Sequence, residues 1–153
     1  MDARIFEITE AVANLINAEW TDKGANDAVT ADEIFPNLDV DDMTGRKVYV
    51  LEAGYGQVEQ LDRKSDLNEY TVNVVVVEKC TDQNGPTKSW LKTRVNFVQD
   101  QIYDRLNNHR DEPILEDLMP DSGEVTLYDW AFLKVEGVFI SEVIFTFRRV
   151  ESI

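Results

Sequence analysis

The sequence predicts an α+β fold: an antiparallel sheet of about four strands, built from two hairpins, with two helices packed on one face. Three observations carry this expectation. Residues 46–80 and 124–150 alternate β-branched and aromatic residues with others at the period of a pleated strand. Residues 2–20 and 87–107 repeat apolar residues at helical spacing. Polar breaks rich in Gly, Pro, Asn and Asp separate these stretches, so helix, hairpin, helix and hairpin follow one another. The 153 residues are expected to form a single domain, 1–153, large enough to bury a core without staples.

In the first helix, Ile5, Ile8, Val12, Leu15 and Ile16 form the apolar stripe, with Glu7, Glu10, Asn14 and Asn17 between them. Asp2 is placed to cap its start, and Trp20 marks its end because 21–27 has loop composition. Val29 to Pro36 reads as a short extended segment, confined to an edge because Pro36 has no N–H for a ladder. A polar loop, 37–45, leads into the first hairpin.

That hairpin, 46–80, is the spine of the predicted sheet. Val48 and Val50 alternate with Tyr49 and Leu51, and Tyr70, Val72, Val74 and Val76 alternate with Thr71, Asn73, Val75 and Val77. The polar run from Leu61 to Asp66 supplies its turn. Its middle, Gly54-Tyr55-Gly56-Gln57, is poor in apolar residues and reads as a bend or bulge. The distal half is therefore expected to project beyond the core.

The second helix carries Leu91, Val95, Val98, Ile102 and Leu106 on one stripe, with Thr87 or Ser89 as cap. Asn107 and Asn108 close it, and Pro113 forbids continuation. Residues 109–123 read as an acidic connector with a local apolar cluster at Ile114, Leu115, Leu118 and Met119. The closing hairpin is expected to pair strands 124–135 and 138–150 across a tight Glu136-Gly137 turn. The expected core comprises Ile8, Val12, Leu15, Val72, Val74, Val76, Leu91, Val98, Ile102, Phe145 and Phe147.

Charge narrows the function classes. Fifteen basic residues stand against 30 acidic ones, for a net charge of −15. The excess is local: 1–45 holds 11 acids and 2 bases, and 100–124 holds 8 acids and 2 bases. The hairpin and helix region 46–99 nearly cancels, with 7 acids and 8 bases. Such a surface argues against ordinary duplex binding, which needs Lys and Arg to neutralise phosphates. No apolar run approaches the roughly 20 residues of a membrane span, and the single cysteine, Cys80, fits a reducing compartment and a cytoplasmically made protein.

The search for chemistry excludes most enzymatic classes, and no catalytic, cofactor-binding or metal-binding residue is nominated. His109 is alone among Asn, Arg and Asp, with no Ser or Cys motif beside it. Cys80 ends a Val-rich strand and reads as a small filler. Asp39, Asp41 and Asp42 fall short of a calcium loop, because Met43 and Val50 stand where ligands are needed. No phosphate-binding glycine motif occurs. Basic residues cluster only at Arg63-Lys64 in the hairpin turn and Arg148-Arg149 near the end of the last strand. Their bland reading is solvated edge protection; the functional one is docking of a basic tip into the acidic surface of a neighbouring copy.

The run Asp32-Glu33-Ile34-Phe35-Pro36-Asn37-Leu38-Asp39, the strand around Val48-Tyr49-Val50, the run Arg63 to Val74 and the closing Ile144-Phe145-Thr146-Phe147-Arg148-Arg149 together resemble the tail-terminator or tail-completion family of tailed bacteriophages. The resemblance spans essentially the whole chain and rests on the order and composition of elements, not on catalytic residues. It implies a non-enzymatic virion protein of the tail and neck, assembled in the host cytoplasm. Its subunits would form a homo-oligomeric ring, commonly a hexamer, that caps the tube made by the major tail tube protein. The ring would also join a head–tail connector or stopper protein and let DNA pass its lumen without specific binding. Under this resemblance Tyr55, Arg63, Lys64, Asp66, Asn68, Arg148 and Arg149 are the candidate inter-subunit contacts. Two other readings stay open: a different connector ring, such as a stopper or adaptor, and a small acidic regulatory or inhibitor protein.

Overall fold

The computed structural model describes residues 4–19, 29–30, 46–81, 85–104, 119–126 and 130–152. Helix α1 (Arg4–Glu19) is followed by the short strand β1 (Val29–Thr30), then β2 (Arg46–Gln60) and β3 (Ser65–Lys79). Helix α2 (Lys88–Phe97) continues directly into a π-helical segment, Val98–Tyr103. Strand β4 (Met119–Thr126), helix α3 (Trp130–Glu136) and strand β5 (Val138–Ser152) complete the described elements. The sheet order is β1-β2-β3-β5-β4; β1 joins β2 in parallel, and the other neighbours are antiparallel.

Both predicted helices form. The apolar stripe of α1 buries Ile5, Ile8, Val12 and Ile16, while the buried hydroxyl of Thr9 donates to the Ile5 carbonyl at 2.8 Å. In α2 the Thr87 hydroxyl accepts from the Trp90 N–H at 3.2 Å, so of the two expected candidates Thr87, not Ser89, is the N-cap. Val98 and Ile102 are fully buried, and Leu91 and Val95 lie partly buried against them. The predicted cap Asp2, the end marker Trp20 and Leu106 lie outside the described residues, as do Asp39, Asp41, Asp42 and His109. Of the segment read as extended over 29–36, Val29 and Thr30 form β1, and the rest lies outside.

One face of the sheet carries the core. Val48 and Val50 of β2, Tyr70, Val72, Val74 and Val76 of β3, and Phe139, Val143, Phe145 and Phe147 of β5 are buried in a single cluster with α1 and α2. Burial therefore follows the period of two that the sequence displays. Leu15 and Leu91 sit at the cluster's margin, half-buried, although the sequence places them inside.

The closing hairpin is corrected by the structure. Residues 130–136 are helix, not strand, and β4 begins at Met119, inside the stretch read as a connector. The four-residue period won over the alternation because Leu133 fills the core from a helical turn, wholly buried. Glu136-Gly137 is accordingly a helix terminus. Gly137 adopts φ +68°, its N–H donates to the Leu133 carbonyl at 2.9 Å, and its own carbonyl accepts from the Cys80 N–H at 2.7 Å. Strands β4 and β5 still pair, from Met119 opposite Arg148 to Thr126 opposite Glu142.

The far end of the sheet also differs from a hairpin standing alone. β5 continues past Arg149 to Ser152, which faces Ser65, so β3 has a partner on both sides from Asp66 to Glu78. The distal end is thus three strands wide.

Candidate assembly surface

The distal end of the sheet gathers the residues nominated from sequence. Its turn is closed by the Leu61 and Asp62 N–H groups donating to the Ser65 carbonyl at 3.0 and 3.3 Å. The Asp62 carboxylate accepts from the Lys64 N–H at 2.7 Å, the local bond that favours Asp in turns. This presents Arg63 and Lys64 to solvent at the tip. Along β2, register shifts between Glu52 and Gly54 and between Gln57 and Glu59 bracket Tyr55. These bulges flank the glycine pair that the sequence marks as a bend.

Four of the nominated residues share one face. Tyr55 stands opposite Tyr70, Asn68 opposite Arg149, and Asp66 opposite Glu151. Tyr55 is 66% exposed and stacks on Tyr70 with ring centroids 6.1 Å apart. The Asp66 carboxylate accepts from the Gln57 amide at 2.9 Å. Glu151 ties this face together: its carboxylate accepts from the Asn68 amide at 3.0 Å and from the Tyr70 hydroxyl, and pairs with Arg4 of α1 at 3.4 Å. Burial first, and the bond to Glu151 second, push the Tyr70 hydroxyl up to about 12, with Arg4 and Arg149 opposing.

Arg148 belongs elsewhere. Consecutive strand residues point to opposite faces, so Arg148 and Arg149 do not form one basic patch. Arg148 sits on the other face, where its guanidinium pairs with Glu69 across the ladder at 3.1 Å. Neither arginine ends the strand.

Sequence reasoning missed Glu151 and Arg4, which organise the face, and also Gln57 and Glu69. The signal for Glu151 was present: it continues the alternation of Phe145, Phe147 and Arg149, provided that β5 is extended by two residues. A shallow, open groove of about 300 Å³ runs beside the β2 edge, lined among others by Ala53, Tyr55, Gln57, Val58, Glu69 and Thr71. Among the described residues no group of three or more His, Cys, Asp or Glu is placed to hold a metal ion. No described helix is long and apolar enough to cross a membrane.

No family model and no curated protein matches the sequence. Among solved structures, the chain is similar to the sheath/tube terminator of an extracellular contractile injection system, PVC, seen in its extended state. The superposition has a TM-score of 0.50 at 10% sequence identity and covers 100% of this chain. The chain spans 58% of the length of that terminator. At this identity the likeness is one of fold. In fold, over its whole length, the chain resembles that sheath/tube terminator.

Proposed function

We propose that the chain is a ring-forming structural subunit of the tail-terminator type, which caps a tail tube and stops its growth. The observation that carries this reading is the whole-chain fold likeness to a sheath/tube terminator. In this reading the ring is a hexamer, the partners are the major tail tube protein and a head–tail connector or stopper, and the protein resides in the tail of a bacteriophage virion after assembly in the host cytoplasm. DNA passes the lumen without specific binding, which a net charge of −15 favours by repelling phosphate. The role is non-enzymatic and needs no cofactor.

Inter-subunit contact is assigned to the distal end of the sheet, through Tyr55, Arg63, Lys64, Asp66 and Asn68, with Arg148 and Arg149 contributing from its two faces. Exposure supports Tyr55, Arg63 and Lys64, whose side chains face solvent. Negative-stain microscopy of the purified protein tests the reading, with rings or ring stacks expected. Uniform single-subunit particles across a range of salt and protein concentrations would refute it.

A further inference from the structure

We infer that the distal edge of β2 is a strand-addition site filled by β4 of a second copy, so that neighbouring subunits share one continuous sheet. This deepens the ring reading above and rests on it.

Among the described residues the edge itself is open. β1 covers β2 only at Tyr49 and Val50, and every residue from Glu52 to Gln60 is exposed. A strand with one neighbour leaves alternate N–H and C=O groups pointing outward, ready to pair. The guards here are two bulges and two acids, Glu52 and Glu59, with no proline, and between the bulges Gly54 to Gln57 pairs in regular register. Gly54 and Gly56 leave one face of this strand bare, with nothing within 4 Å of where a Cβ would stand. Tyr55, Val58 and Leu61 add exposed apolar surface along the same edge.

Topology selects the occupant. Among the described residues β4 is the opposite edge of the sheet, paired only with β5. Successive antiparallel pairings make β2 and β5 run one way and β3 and β4 the other. Rotation about an axis along the strands preserves direction, so β4 of the next copy arrives antiparallel to β2. Height matches as well. Met119 is level with Gly56 through Arg148 and Glu69, and Thr126 is level with Tyr49 through Glu142 and Val75. Because β1 holds Tyr49 and Val50, the incoming strand shifts distally. An eight-residue β4 placed from Glu52 reaches Glu59, and such a stagger accompanies closure of tilted strands.

This register sets Gly54 opposite Glu124 and Gly56 opposite Ser122. The test uses the full chain with Cys80→Ser and two separate pairs, Gly54→Cys with Glu124→Cys and Gly56→Cys with Ser122→Cys. The second pair keeps the test decisive should one substitution disturb the fold. After mild oxidation, denaturing non-reducing gels of either double variant should show a covalent ladder longer than a dimer, while single-cysteine variants stay monomeric. Dimers from Gly56→Cys alone would overturn the proposal in favour of β2 pairing with itself. Oligomers by light scattering without a ladder in either double variant would overturn it while leaving the ring reading intact. A monomer by light scattering would remove both.

Discussion

At the scale of single residues, two polar sites hold the sheet to its helices. Glu78, 7% exposed at the proximal end, accepts from Arg46 at 2.9 Å through one oxygen and from Arg94 at 2.6 Å through the other. Each guanidinium also lies over a ring: Arg46 over Phe97 at 3.8 Å and Arg94 over Trp90 at 4.3 Å. Glu78→Ala leaves two arginines without their shared counter-charge and should cost roughly 3 kcal/mol in urea unfolding. Glu78→Gln, which keeps volume and acceptor capacity but not the charge, should cost less; equal losses would show that the charge alone, not volume or acceptor capacity, matters there. At the distal end the Tyr70 hydroxyl is raised from 10.0 to about 12, so the folded state holds its proton more tightly than the unfolded chain. The resulting stability is complete below pH 10 and is lost as pH rises towards 12. Tyr70→Phe should flatten that part of a melting-temperature profile, and an unchanged slope would assign it to other tyrosines.

At the scale of elements, packing decides the register of β4. A Cβ at Gly123 would meet Tyr103 Cε2 at 3.1 Å and Phe145 Cε1 at 3.2 Å. Both are ring atoms packed against the core, so an added methyl would force a ring or the strand to give by a few tenths of an ångström. Gly123→Ala should therefore destabilise the protein by about 1–3 kcal/mol, read by thermal unfolding. Gly54→Ala and Gly56→Ala, whose Cβ atoms meet nothing within 4 Å, should be near neutral in the same measurement. Helix α3 illustrates how a short apolar run misleads. Val125 to Phe132 alternates well enough for a strand, yet Asp129 precedes Trp130 as a capping residue would, and Gly137 follows as a helix-ending glycine. Those two signals outweigh the alternation once Leu133 has a core to enter.

At the scale of the whole molecule, net charge and local charge act in opposite directions. Subunits of net charge −15 repel one another over a range that salt screens, with a Debye length of about 10 Å at 0.1 M. Raising salt from very low to physiological should therefore favour association of the unaltered chain, as followed by light scattering or native mass spectrometry. Reversing the tip charges, Arg63→Glu with Lys64→Glu, should weaken assembly at every salt concentration and leave circular dichroism unchanged. Assembly that ignores this double change would remove the turn from the contact surface. The three-strand width of the distal end matters here, because a bonded strip is stiffer than a lone hairpin and presents Tyr55 and the tip without large ordering cost.

The sequence by itself determined the fold class, the two long helical segments with a cap at Thr87 or Ser89, and the core face of the central strands. Each follows from local periodicity: Val72, Val74 and Val76 alternate without interruption, and Val98 and Ile102 stay on one helical stripe. Tertiary structure alone decided what lies beside what. Nothing local in Ser65 to Asn68 says that β5 will accompany it as far as Ser152. The same holds for Glu151, an ordinary surface acid in the sequence, which becomes the shared acceptor of Arg4, Asn68 and Tyr70 because three distant segments meet there. Periodicity encodes which face of an element is apolar; strand order and register depend on contacts between residues far apart in sequence, which no local pattern records.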